Sequence, residues 1–155
     1  MMRTAAAAGS IICAAMLMIS CMMQNPPAPA GNTPGGEHTE ITGPVWQWVQ
    51  TLYNDDRNIV PADPENYTLQ FMEDGTIRVK ADCNQKGGTV SISPKEKRIS
   101  IEITRSTMAF CPKGSLEEEF IKGLSAAVIY FIRNGDLFFD LKYDSGTMRF
   151  SKRRD

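Results

Sequence analysis

Four cysteines, one histidine and a recurring set of carboxylates are the groups of this 155-residue chain with the clearest chemical potential. Cys13 lies inside an apolar run and Cys21 closes it, so only Cys83 and Cys111 stand in sequence able to fold around a core. A nucleophilic cysteine or serine needs a base beside it. The single histidine, His38, falls in a stretch of prolines and glycines and reads as a solvated side chain, not as a base or ligand. A zinc site fails on ligand count. Asp136, Asp140 and Asp144 recur at intervals of four. On a strand that spacing puts Asp136 and Asp140 on one face, opposite Leu137, Phe139 and Leu141, and therefore on the wet side. Without the glycine-spaced oxygens of a calcium loop, a solvated face and a turn explain them better than a cation site or a glycosidase-like pair. The expectation is no enzyme, with no catalytic residue, no metal ligand and no cofactor.

Arg3 is the only charge ahead of the apolar run at 4–20, the layout of a secretory signal. Met18-Ile19-Ser20-Cys21 resembles a lipobox, whose cysteine is acylated by palmitate-type chains and becomes the new N-terminus; Met18 stands where leucine is usual. An uncleaved membrane anchor and plain secretion are the alternatives. The run of about 17 residues is at the short limit for crossing a hydrocarbon core, and no stop-transfer charges follow it. The chain thus divides into a signal at 1–20, a lipidated Cys21 with a tether at 21–42, and one domain at 43–155. Pro26, Pro27, Pro29, Pro34 and Gly35-Gly36 make the tether flexible and partly extended. The expected location is the cell envelope, on the periplasmic or extracellular face, with the membrane as partner through Cys21. Nucleic acid is not an expected partner: the net charge is −1 and the basic residues are scattered apart from Lys152-Arg153-Arg154.

In an exported domain the pair left over, Cys83 and Cys111, reads as a disulfide. A closed loop of roughly 29 residues corresponds to about 3.6 kcal/mol in the loop-entropy treatment.

Period two recurs along the domain. Tyr67, Leu69 and Phe71 alternate with polar residues, as do Ile77, Val79, Ala81 and Cys83, and then Ile99, Ile101 and Ile103. Each run is the mark of a strand with one buried face. Further strands are expected at 45–52, 89–93, 128–133, 136–142 and 147–151. Glu73-Asp74-Gly75, Pro94-Lys95-Glu96, Asn134-Gly135 and Asp144-Ser145-Gly146 are suited to reversing the chain, so neighbours should pair antiparallel. Trp46 and Trp48 share a strand face and read as core rather than as a docking patch. Asn84, ahead of Gly87-Gly88, reads as a turn residue rather than part of a binding edge. Ser115 with Glu118 has the form of a capping box, and Leu116, Phe120, Ile121 and Leu124 follow at helical spacing, giving a helix at about 115–127. Glu117, Glu118 and Glu119 then suit the positive end of the helix dipole.

Trp46-Gln47-Trp48, Asp82-Cys83-Asn84 with Gly87-Gly88, Thr107-Met108-Ala109-Phe110-Cys111-Pro112, Glu119-Phe120 and Gly135-Asp136-Leu137 occur in an order that resembles the META domain. That is the domain of the HslJ-type heat-shock-linked envelope proteins, and the resemblance spans nearly all of 43–151. It implies a mainly β (α+β) fold, a curved antiparallel sheet or half-open barrel of about eight strands around one α-helix. It also implies that Cys83 and Cys111 lie side by side. It implies no catalytic residues, because the family is associated with stress tolerance, secretion, motility and virulence rather than a reaction. Two functions remain: a stress-adaptation or protein-interaction module binding an envelope protein, and a small-ligand or lipid carrier using the concave face. A helix whose Phe120, Ile121 and Leu124 fill that face favours the first.

Overall fold

The computed structural model describes residues 40–154. The signal-like run, Cys13, Cys21, His38 and the tether as far as residue 39 lie outside them.

The described chain forms β1 (Val45–Tyr53), β2 (Asn58–Ile59), β3 (Tyr67–Phe71), β4 (Thr76–Ala81), β5 (Asn84–Ser93), β6 (Arg98–Ser106), α1 (Glu117–Ala126), β7 (Ala127–Arg133), β8 (Asp136–Leu141) and β9 (Gly146–Lys152). All nine strands belong to one antiparallel sheet, in the order β2-β1-β3-β4-β5-β6-β7-β8-β9. Pairing of β1 with β9, from Trp46 opposite Lys152 to Tyr53 opposite Gly146, curves this meander into a ring. The weakest seam lies between β6 and β7, where Arg98 opposite Ile129 is the one ladder pair. α1 packs against β6.

The alternation in sequence becomes the inner face of the ring. Tyr67, Leu69, Phe71, Ile77, Val79, Ala81, Ile99, Ile101, Leu137, Phe139, Met148 and Phe150 are all buried in one cluster. Trp46 and Trp48 join it, and each indole N–H finds an acceptor inside: Ile41 O at 2.9 Å and Thr51 Oγ1 at 2.9 Å. Buried polar groups need such partners. From α1, Phe120 stacks on Trp48 with ring centroids 5.1 Å apart and meets Tyr67 edge-on at 5.7 Å. Phe120 and Leu124 are fully buried, so the helix supplies part of the ring's own core. Gly123 lets it come close: a Cβ there would lie 2.7 Å from Met148 Sδ.

Three local expectations are corrected. Cys83 does not continue the buried face of β4, because Asp82 turns with φ of 57° and Asp82-Cys83 form a two-residue hairpin turn between Ala81 and Asn84. Asn84 is therefore the first residue of β5, and Gly87-Gly88 lie within that strand, at a bulge against β6. A Cβ on Gly88 would come within 1.8 Å of Glu102 O, so the two backbones approach there as only glycine allows. The helix begins at Glu117 instead of 115; Ser115 Oγ accepts from Glu117 N at 3.2 Å, one residue short of the capping-box partner.

Candidate functional site

The hairpin turn at Asp82-Cys83 delivers Asn84 into the interior, where it is 3% exposed. Its amide is fully used. Oδ1 accepts from Thr107 Oγ1 at 2.9 Å and from Ala109 N at 2.8 Å. Nδ2 donates to Ala109 O at 3.0 Å and to Glu117 Oε2 at 2.8 Å. Two donors and two acceptor positions are all that a side-chain amide offers. Gln85 extends the β5–β6 ladder by one step, with Thr107 N donating to Gln85 O and Gln85 N to Thr107 Oγ1, both at 2.9 Å. The disulfide Cys83–Cys111 closes the far side, its Cα atoms 5.4 Å apart.

Glu117, on the first turn of α1, completes the cluster. Lys86 Nζ lies 2.7 Å from its Oε1 and also donates to Ser106 Oγ at 2.7 Å. Burial works against its charge, but the hydrogen bonds from Lys86 and Asn84 and the lysine's charge outweigh that and hold its carboxyl below the usual range. Cys111 Sγ lies 3.1 Å from Oε2, a contact rather than a hydrogen bond because a disulfide sulfur has no proton. Cys83, Cys111 and Glu117 are also the one group of ligand-type side chains gathered within 4.8 Å among the described residues. With the sulfurs joined, neither offers the thiolate that a metal needs.

All these ties lie on the inner side of the loop at 107–111. On its outer side Met108 is 95% exposed and Phe110 fully so. The result is a short apolar finger on a fixed backbone, flanked by a shallow groove of about 530 Å³ lined in part by Cys111, Glu118, Ile121 and Lys122.

The other residues singled out in sequence are placed elsewhere. Asp136 pairs with Arg149 at 2.7 Å and Asp140 accepts from Thr147 Oγ1 at 2.8 Å, while Asp144 sits in a turn where its carbonyl accepts from Asn54 Nδ2. They do not converge. Of the acidic run, Glu119 accepts from Tyr53 Oη at 2.6 Å, and burial together with that bond pushes the Tyr53 phenol up to about 12. Ile121 is half-buried, packs against the core cluster and also lines the groove. Lys86, Thr107, Met108 and Phe110 were not expected as parts of a site. Alternation of Met108 with Phe110 was the available signal, but alternation alone reads as burial.

No curated protein matches the sequence at a significant level. Among solved structures, the chain is similar to a DUF4847 family protein from Bacteroides vulgatus, with 18% identity, a TM-score of 0.56, and coverage of 75% of this chain and 96% of that one. It is also similar to a protein from Burkholderia xenovorans, with 15% identity, a TM-score of 0.56, and coverage of 74% and 85%. At such identities these likenesses speak for the fold alone. The family model for the META domain matches residues 39–155, which takes in every element of the ring, the helix and the clamped finger; the chain belongs to the META domain family.

Proposed function

We propose that this chain is an exported lipoprotein, acylated at Cys21 and tethered through residues 22–42 to a membrane of the cell envelope. Its META domain serves there, without catalysis, as an interaction module in adaptation to stress. One observation carries the choice of module over carrier. The space that a curved sheet would offer a ligand is occupied by the domain's own side chains, with Phe120 packed among Trp48, Tyr67 and Phe150. Small-molecule sites are concave and largely preformed. Binding is accordingly directed to the outer surface. The absence of catalysis is supported by the fate of the clustered groups, since Cys83 and Cys111 are joined and Glu117 is engaged by Lys86 and Asn84.

The anchor is tested by growing the native host with an alkyne-bearing palmitate analogue. Label should enter the wild-type protein in the membrane fraction, and Cys21→Ser should lose the label and leave the membrane. Recovery of the wild type as a soluble protein with Cys21 unmodified would sink the reading.

A further inference from the structure

Met108 and Phe110 are held outward by a device that the fold itself does not need for burying them. Asn84 satisfies both backbone groups of Ala109, Gln85 pairs with Thr107, and the disulfide fixes Cys111, so the intervening side chains are displayed from a loop with little freedom left to lose. Binding through a preorganised loop avoids most of the ordering cost of association. Aromatic residues and methionine are the types enriched at the centres of protein interfaces, where a few buried anchors dominate.

Two observations decide what kind of surface the finger meets. The first is where the chain enters the domain. Glu40 pairs with Lys97 at 3.4 Å, in the turn that precedes β6, whereas Thr107 follows the opposite end of that strand. Nine residues at about 3.3 Å each put roughly 30 Å between the tether's entry and the finger. The finger thus lies at the end of the ring opposite the one at which the chain enters the domain. The second is charge. Exposed Arg105 and Lys113 flank the finger in sequence, with Asp82 beside Cys83 and Glu118 beside Cys111 in the groove. Amphipathic segments that seat in anionic bilayers are rich in Lys and Arg on their polar side. A rim of both signs around an apolar centre is the anatomy of a protein interface.

We propose that Met108-Ala109-Phe110 is a docking finger for a folded envelope protein that offers an apolar pocket for the Phe110 ring, a neighbouring slot for Met108 and a polar rim of both signs. This rests on the reading of the domain as an anchored interaction module and names the surface it uses.

The test is photocrosslinking in intact cells of the native host, with the full-length protein carrying p-benzoylphenylalanine in place of Phe110, Met108, Val60 or Tyr143. The last two are exposed at other sites and serve as references. The expected result is one adduct with a different protein, the same from positions 108 and 110 and missing from 60 and 143. The protein identified in it, once purified, should bind the oxidised domain with a Kd raised at least about ten-fold by Phe110→Ala. The melting temperature of that variant should stay at the wild-type value, because Phe110 is fully exposed. Adducts only with lipid, with the chain's own tether or with a second copy would overturn the finger, as would a Kd unchanged by Phe110→Ala. A protein adduct from position 60 or 143 but none from 108 or 110 overturns the finger and leaves the interaction module standing. Loss of the module reading itself shows differently, as a wild-type protein without acylation at Cys21 and outside the membrane fraction.

Discussion

Asn84 Oδ1 lies 2.8 Å from the backbone nitrogen of Ala109 and Asn84 Nδ2 lies 3.0 Å from its carbonyl oxygen, so one buried side chain pairs with a loop residue as a neighbouring strand would. The loop at 107–111 continues β6 past the point where β5 has run out, and the amide takes the place of the missing backbone. Asn84→Ala removes four hydrogen bonds and leaves Ala109 and Glu117 to find other partners. The expected loss is about 2–3 kcal/mol, read as a lower urea midpoint at unchanged slope. Asn84→Asp should be no better, since it sets a second carboxylate against Glu117 Oε2.

Reduction of Cys83–Cys111 frees the same loop from its other end. Stability should fall by about 2–4 kcal/mol, a drop of roughly 10–20 °C in melting temperature by calorimetry with and without a reductant. Cys83→Ser with Cys111→Ser should reproduce the reduced value.

Phe120→Ala empties the middle of the ring. A loss of about 3–5 kcal/mol is expected for a buried phenylalanine whose neighbours are held by strands. Trp48 stacks on that ring, so its fluorescence should shift in the folded variant, and equilibrium unfolding followed at the same tryptophan measures the loss.

These three sites differ in how far sequence reveals them. Burial on one face imposes period two, and so the strands around Leu69, Val79, Ile101 and Phe139 are legible from residue types alone. Phe120 and Leu124 are legible at helical spacing for the same reason. Register and closure are not. Nothing local in Gly87-Gly88 distinguishes a turn from a strand bulge; the distinction comes from how near Glu102 O passes. The pairing of Trp48 with Phe150 that closes the ring joins residues about a hundred positions apart. Met108 and Phe110 alternate as core residues do, and it is the ties from Asn84, Gln85 and the disulfide that hold the loop with those side chains outward. Asn84 has turn chemistry in sequence, yet it serves as a buried staple because Asp82-Cys83 already make the turn.

Glu117 gives the cluster a dependence on acid. Its folded-state carboxyl is held below its ordinary value of about 4.5, so its contribution to stability is complete above pH 4.5 and disappears as the pH falls through the lower, folded value. Glu117→Gln should therefore be less stable than wild type at neutral pH, with the gap closing below about pH 4. Urea midpoints across that range read the difference; a gap that stays constant or widens in acid would show that Glu117 is not held in its charged form.

The central claim is that the finger is rigid although it is exposed, and ¹⁵N relaxation of the oxidised domain tests it most directly. Backbone order parameters at Met108, Ala109 and Phe110 should lie near about 0.85, as in the strands, and drop below about 0.6 in Asn84→Ala after reduction. Ala109 N–H, donated to Asn84, should also exchange with solvent far more slowly than an open loop amide. Order parameters below about 0.6 in the oxidised wild type, with Ala109 exchanging freely, would contradict it.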